Sequence, residues 1–488
     1  MLNFRLIAKI LGSIVYIEMG LLFGCTLLAF FYEENDLESF ILSTFVALGL
    51  GLLLNFAGRN ALKVMSRRDG YMVVCLTWIV STLVGMLPYL FSSEIPGFTN
   101  AFFESMSGVT STGSTVMDNI ESCPHALLFW RSLTQWIGGL GIILFTLALL
   151  PGISMGGNLR LFAAQCTGPL QMKVQPRIAG TAKWIFMVYL FLTVACAFCL
   201  FFWGHMNVFD SINHAFTCIG TGGFSTHQDS IAFYHSHAIE YILIIFMFLA
   251  GVNYNLLYFF GLRGKFKTLF KDTEFKWYTL FFVTVSLICA LSLYLENVFS
   301  IEESLRASAF QVISLSTSTG YCSNDYMLWA PKLLPLLFLA MFIGGCSGSS
   351  AGGFKTIRVV MLQKLARNEI KKIMHPNAVF PLRISGQVIA TPVKITLGAF
   401  TALYFATFFA GWLAFMFCGV PFEEAAVGSI SCLSNMGPGL GSMGPVYSWN
   451  GLGLGAKWVA SLLMFVGRLE LLSVYVIFTR AFWKSSGV

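Results

Sequence analysis

Ser314-Leu315-Ser316-Thr317-Ser318-Thr319-Gly320 closes a semi-polar segment, Ser300 to Tyr321, flanked by two long apolar stretches. Three further segments have the same setting: Asn100 to Thr115, Asp210 to Ser225 and Phe422 to Leu440. In each, the part ahead of the closing turn is too short to cross ~30 Å of hydrocarbon, and the turn is built largely from small residues and glycine. The four turns are Thr110-Ser111-Thr112-Gly113, Ile219-Gly220-Thr221-Gly222, Thr317-Ser318-Thr319-Gly320 and Ser434-Asn435-Met436-Gly437. Ahead of those glycines sit matching apolar pairs, Phe103 and Met106, Ile212 and Ala215, Phe310 and Ile313, Val427 and Ile430. Such i, i+3 pairs predict a short packed helix leading into each turn. The third helix also opens on a capping-box pattern, Ser300-Ile301-Glu302-Glu303.

A glycine recurs in the apolar stretch after each turn: Gly138, Gly251, Gly344 and Gly467. The repeating unit is therefore helix, pore loop, helix, and the chain carries four of them. Irregular backbone at membrane depth is tolerated only inside protein or along a watery path. Four turns around one axis would aim backbone carbonyls inward, where they replace the water around a cation. The C-terminal ends of the short helices, partially negative, would favour the same charge.

Composition agrees with life in lipid. The chain has 488 residues, of which 56% are apolar and 11% charged, and its mean hydropathy is +0.74. A soluble protein carries about 25% charged residues, so this surface does not suit water. Apolar runs of spanning length fall at 10–31, 40–58, 71–91, 127–150, 183–203, 239–261, 277–296, 333–350, 393–419 and 454–479, ten in all. The first is too long for a secretion signal and reads as a retained helix. The predicted fold is an all-α membrane protein with ten transmembrane helices, four helix–pore-loop–helix repeats in a pseudo-fourfold arrangement and two accessory N-terminal helices. The corresponding divisions are 1–62, 63–160, 161–270, 271–375 and 376–488.

The formal net charge of +7 is concentrated in alternate loops, which excludes nucleic acid as its explanation and sets orientation instead. One set holds Arg59, Lys63, Arg67 and Arg68, then Arg160, Lys173 and Arg177, then Arg263, Lys265, Lys267, Lys271 and Lys276, then a run from Lys355 to Arg383. The opposite set holds Glu33, Glu34, Asp36, Glu38, Glu94, Asp118, Glu121, Asp210, Asp229, Glu302, Glu303 and Asp325. Both termini are predicted on the cytoplasmic side, with membrane lipid as the surrounding partner. The 12 cysteines form no metal-ligand pattern. Cys196 and Cys199 read as packing residues inside an apolar run, and a disulfide between Cys123 and Cys322 is left open.

Two further features point to a gate. Gly344, Gly345, Gly348, Gly352 and Gly353 crowd one span, and each glycine costs a helix about 1 kcal/mol relative to alanine. The span is predicted to break there. Arg468 lies inside the last apolar run, where a charge is expensive and marks function.

At these residues the chain resembles the superfamily of potassium transporters that contains the Trk, Ktr and plant HKT proteins. The four glycine turns, the stretch Gly344 to Arg358 and Gly467-Arg468-Leu469-Glu470 carry the likeness, which covers essentially the whole chain. The two helices before residue 62 make it more similar to the Trk branch than to the shorter Ktr branch. The resemblance implies gated potassium uptake across a bacterial inner membrane, with potassium bound at the four turns and no organic cofactor in this chain. Potassium would meet atoms of Ser111, Thr112, Gly220, Thr221, Ser318, Thr319, Asn435 and Met436. It also implies a gate at Gly345, Cys346, Ser347, Gly348, Ser349, Ser350, Ala351, Gly352 and Gly353, with Arg468 as an electrostatic barrier. A homodimer and cytoplasmic nucleotide-binding TrkA-like subunits are the implied partners. Glycine at position 113 accompanies potassium preference in the family, whereas serine marks sodium-preferring plant members.

Rival readings are a sodium-permeable or cation-coupled member of the same superfamily, and a secondary transporter of an organic solute. The latter would use inverted repeats, while these run in one orientation. An enzyme is not expected, because the seven histidines form no His-Glu-x-x-His and no nucleophile elbow is present.

Overall fold

The computed structural model describes residues 2–62, 64–141, 178–261, 264 and 266–484. Lys63, Arg160, Lys173, Arg177, Arg263, Lys265 and the later part of the predicted 127–150 span lie outside the described residues.

The chain is mostly helical, as its long apolar runs require. Among the described residues, six helices are long and apolar enough to cross a membrane: Phe4–Tyr32, Leu37–Ala57, Arg68–Ser92, Lys183–Phe202, Thr273–Leu295 and Thr391–Phe417. Counting each of two bent pairs as one span brings the number up to eight: His237–Ala250 with Tyr254–Gly261 at 106° and Leu454–Arg468 with Leu472–Phe478 at 102°. The ten predicted straight spans are thus modified. The run at 333–350 stops being helical at Phe342, and the runs at 239–261 and 454–479 are sharply bent. Hydropathy sees only the polarity of these residues. It does not register Glu470 and Leu471 in left-handed backbone at φ 54° and 48°, where the last bend forms.

Helices Phe4–Tyr32 and Leu37–Ala57 pack as an antiparallel pair. A β-carbon on Gly51 would come within 2.8 Å of the Tyr16 ring, so glycine lets the two backbones approach. Asp69 ties the pair to the third helix. Its carboxylate accepts from the Asn3 N–H at 2.8 Å and the Ser66 N–H at 2.8 Å, while Ser66 caps that helix.

Four units then run in the order long helix, short helix, turn, second helix. The short helices are Phe98–Val109, Val208–Ile219, Ile301–Ser316 and Phe422–Leu433. As the capping pattern predicts, the Ser300 hydroxyl accepts from the Glu303 N–H at 3.3 Å. Each short helix presents its interior face to the protein, with Phe103, Ala215, Phe310, Ile313 and Ile430 wholly buried. Strands Arg383–Ile384 and Gln387–Val388 form a tight hairpin against the start of helix Thr273–Leu295, through bonds between Ser385 and Thr273 at 3.1 Å.

Candidate functional site

The four short helices hand over to their turns through one hydrogen-bond frame. In the first, the N–H groups of Thr110, Ser111 and Thr112 donate to the carbonyls of Met106, Gly108 and Ser107. The frame recurs at Gly220, Thr221 and Gly222, at Thr317, Ser318 and Thr319, and at Ser434, Asn435 and Met436. The second residue of each set is left-handed, with φ of 53° at Ser111, 52° at Thr221, 54° at Ser318 and 53° at Asn435. Two residues later comes a glycine at positive φ: Gly113, Gly223, Gly320 and Gly437.

This conformation corrects the sequence register in the second repeat by one residue. The turn equivalent to Thr110–Gly113 is 220–223, so Gly223 replaces Gly222 as the matching glycine and Ile219 is the last residue of its helix. Two adjacent glycines leave the alignment ambiguous on paper, and only backbone angles separate them. The matching pair ahead of the turn is accordingly Asn213 and Phe216, while Ile212 is exposed.

The turns converge. A β-carbon added to Gly113 would stand 1.9 Å from the Gly222 oxygen. The same test puts Gly223 at 2.0 Å from the Thr319 oxygen, Gly320 at 2.1 Å from Met436 and Gly437 at 2.7 Å from Thr112. The first turn abuts the second, the second the third, the third the fourth, and the fourth the first. The ring is closed, and any side chain at those glycines would force it apart. A cavity on one side of it is lined by Gly113, Gly223, Gly320 and Gly437 together with Arg131 and Phe224. Cross-ties reinforce the closure: the Ser114 hydroxyl donates to the Gly437 oxygen at 3.1 Å, and Asn435 Nδ2 to the Thr112 hydroxyl at 3.0 Å. Hydroxyl pairs at 2.8 Å join Thr110 to Thr112 and Thr317 to Thr319 in alternate turns.

Behind the ring lies a buried ion pair that sequence reading passed over. Glu104 accepts from Arg131 at 2.9 Å, from the Val116 N–H at 2.9 Å and from the Thr115 hydroxyl at 3.0 Å. Arg131 also donates to the Ser225 carbonyl at 3.3 Å and covers the Phe224 ring at 4.1 Å. One pair thereby holds the segments that leave the first and second turns. Arg131 sits in an apolar run, and that was the available signal, since an intramembrane charge implies a partner. In the second repeat the equivalent of Glu104 is His214, whose ring meets the Ser225 hydroxyl at 3.0 Å. Nearby, burial opposes ionisation of Asp210, but hydrogen bonds from His227 and Thr226 hold its carboxyl well below the usual range.

On the opposite side of the ring, helix Leu334–Phe342 gives way to a loop between two short parallel strands, Ile343–Gly344 and Phe354–Lys355. The predicted break is therefore present, and Gly345 through Gly353 lie in this one loop. It presses on two of the turns and on the end of the short helix before a third. The Ser350 hydroxyl donates to the Ile219 carbonyl at 2.9 Å, the Gly352 N–H to the Ser318 hydroxyl at 2.6 Å, and a β-carbon on Gly352 would lie 2.2 Å from the Ser434 oxygen. Arg468 reaches the loop directly, donating to the Ser350 carbonyl at 3.0 Å and to the Gly138 carbonyl. Glu470 pairs with Arg358. Glu274, which sequence reading also missed, accepts from the Ser347 N–H at 2.6 Å and the Ile357 N–H at 3.2 Å, tying the loop to the start of helix Thr356–Met374.

Cys123 and Cys322 are separate free thiols. The Cys322 Sγ donates instead to the Asn324 carbonyl at 2.8 Å.

The TrkH family of cation transport proteins matches residues 37–485. The Trk system potassium uptake protein TrkH of Escherichia coli K12 is 38% identical over 496 residues, covering 99% of this chain and 100% of that protein. TrkG of the same strain is 30% identical over 485 residues, with 99% of each chain covered. The crystal structure of the potassium transporter TrkH from Vibrio parahaemolyticus superposes with a TM-score of 0.88 at 33% identity, covering 99% of this chain and 100% of the other.

Proposed function

Because this chain belongs to the TrkH family of cation transport proteins and is an integral membrane protein, we propose that it conducts potassium through the ring of four turns and gates that path at loop 345–353. The carrying observation is the cyclic approach of Gly113, Gly223, Gly320 and Gly437 to the carbonyls of Gly222, Thr319, Met436 and Thr112. Four backbone oxygens around one axis, at the C-terminal ends of four short helices, form a site for a dehydrated cation. The filter residues are Thr110 to Gly113, Gly220 to Gly223, Thr317 to Gly320 and Ser434 to Gly437.

Immediately inside the filter, the loop occupies the path and Arg468 holds it by the Ser350 carbonyl. Opening requires the loop to leave those contacts, a change that glycine-rich backbone absorbs without unpacking a helix. Arg468 serves twice, as a latch on the loop and as a positive charge that lowers cation occupancy beneath the filter. The chain works as a homodimer with nucleotide-binding TrkA-like subunits on the cytoplasmic side, in a bacterial inner membrane with both termini inside.

The test is growth of a potassium-uptake-deficient bacterium at low potassium, followed by flux measurement for Gly113→Ser. A β-carbon at 113 collides with the Gly222 oxygen, so the ring must open and admit sodium. We expect the wild type to restore growth and the variant to gain sodium permeability. An inserted wild type that fails to restore growth, or a variant with an unchanged sodium-to-potassium ratio, overturns the reading.

A further inference from the structure

The second turn is poorer in side chains than its counterparts. Where the first, third and fourth turns carry Thr112, Thr319 and Met436, it carries Gly222. The space is not empty. Gln135, on helix His125–Leu140 of the preceding repeat, is fully buried. Its Nε2 donates to the Gly222 carbonyl at 2.8 Å and its Oε1 accepts from the Phe224 N–H at 3.0 Å, so the carboxamide brackets Gly223. A β-carbon on Gly222 would lie 2.3 Å from Gln135 Cδ. The backbone carbonyl of Gln135 also accepts from the Ser111 hydroxyl at 3.1 Å, which joins the first turn to the second.

The other repeats have no such group at the equivalent position of the second helix. Counting three residues back from the recurring span glycine gives Gln135, Phe248, Met341 and Met464. At this helix position a carboxamide therefore occurs only in the repeat that precedes the turn lacking a side chain. At the junction of the fourth and first repeats the same two positions are Met464 and Thr112, and Asn435 Nδ2 links them.

We propose that Gln135 is a specificity-determining residue that replaces the missing side chain of the second turn and fixes the Gly222 carbonyl in the ring. This rests on the reading of the four turns as a potassium filter. Freed of the amide, a carbonyl between two glycines can rotate, and the ring loses its discrimination against the smaller sodium ion.

The test compares potassium and sodium flux in membrane vesicles for wild type, Gly113→Ser, Gln135→Met, Gly222→Thr and the double variant Gln135→Met/Gly222→Thr. The double variant recreates the methionine and threonine pair of the fourth and first repeats. Each of Gln135→Met and Gly222→Thr should cut the potassium preference roughly tenfold, the worth of one to two hydrogen bonds. The double variant should regain most of it. Wild-type preference in Gln135→Met, or a double variant as unselective as the singles, overturns the proposal. If Gln135→Met is not recovered in the membrane, the double variant decides in the same terms. A wild type with no potassium preference instead sinks the filter reading, whereas preference lost in Gly113→Ser but kept in Gln135→Met sinks only the role of Gln135.

Discussion

Arg468 carries the sharpest consequence of any single residue. Its guanidinium donates to the carbonyls of Ser350 and Gly138, one on the loop and one on the second helix of the first repeat. A neutral glutamine in its place would release the loop and remove a charge from below the filter. A unit charge about 10 Å from the ion at an effective dielectric constant of about 20 is worth about 1.7 kcal/mol, or somewhat over tenfold in occupancy. Arg468→Gln should therefore raise potassium flux by about that factor, measured as rubidium or potassium uptake at matched expression. Unchanged or lost flux in a well-inserted variant argues against the barrier. The sequence disclosed Arg468 because it is a charge in an apolar run. It disclosed the matching glycines in three turns and missed Gly223 by one residue, because composition cannot choose between adjacent glycines and a φ of 75° can. Gln135 and Glu104 stayed hidden for another reason: each acts on a segment far away in sequence, and spacing carries no information about such contacts.

Whole elements show where charge was placed for orientation and where it was placed for packing. The turn between helices Phe4–Tyr32 and Leu37–Ala57 holds Asp36, an acid that the sequence assigns simply to an outer loop. In the structure it is buried, and burial, then the neighbouring Glu34, push its carboxyl up to about 6. The folded chain therefore holds that proton more tightly than the unfolded chain, whose aspartate titrates near its usual value of about 3.9. Stability from this group rises as pH falls from above about 6 towards about 4, and is lost as pH rises through the folded value. Asp36→Asn should flatten that dependence and raise the melting temperature in detergent at pH 8 relative to wild type. An equal pH slope in the two proteins would rule out the buried carboxyl as its source. The helix breaks were partly legible. Five glycines announced the loop after Phe342, whereas in the apolar run 239–261 Gly251 gave no sign of the 106° bend that follows it, where its carbonyl accepts from the Cys346 N–H at 2.8 Å. A β-carbon there would meet the Tyr278 hydroxyl at 2.4 Å.

At the scale of the molecule, four like units are bound into a ring by unlike contacts: an ion pair in the first, a histidine in the second, a bent or broken second helix in the last three. The common backbone frame sets the ring, and the differences allow one side of it to be plugged by a loop from a single repeat. The orientation of that ring in the membrane decides which way the path is gated. Alternating basic and acidic loops in the sequence predict the short helices on the outer side, entering from outside with their carbonyl ends directed inward. Cys418 reports on this. It caps helix Thr391–Phe417, lies four residues before short helix Phe422–Leu433, and is the exposed cysteine among the described residues. A membrane-impermeant maleimide should therefore label intact spheroplasts at this site, and Cys418→Ser should remove that label. Labelling that appears only in inverted vesicles would reverse the orientation, leaving the loop and Arg468 on the outer side of the proposed filter.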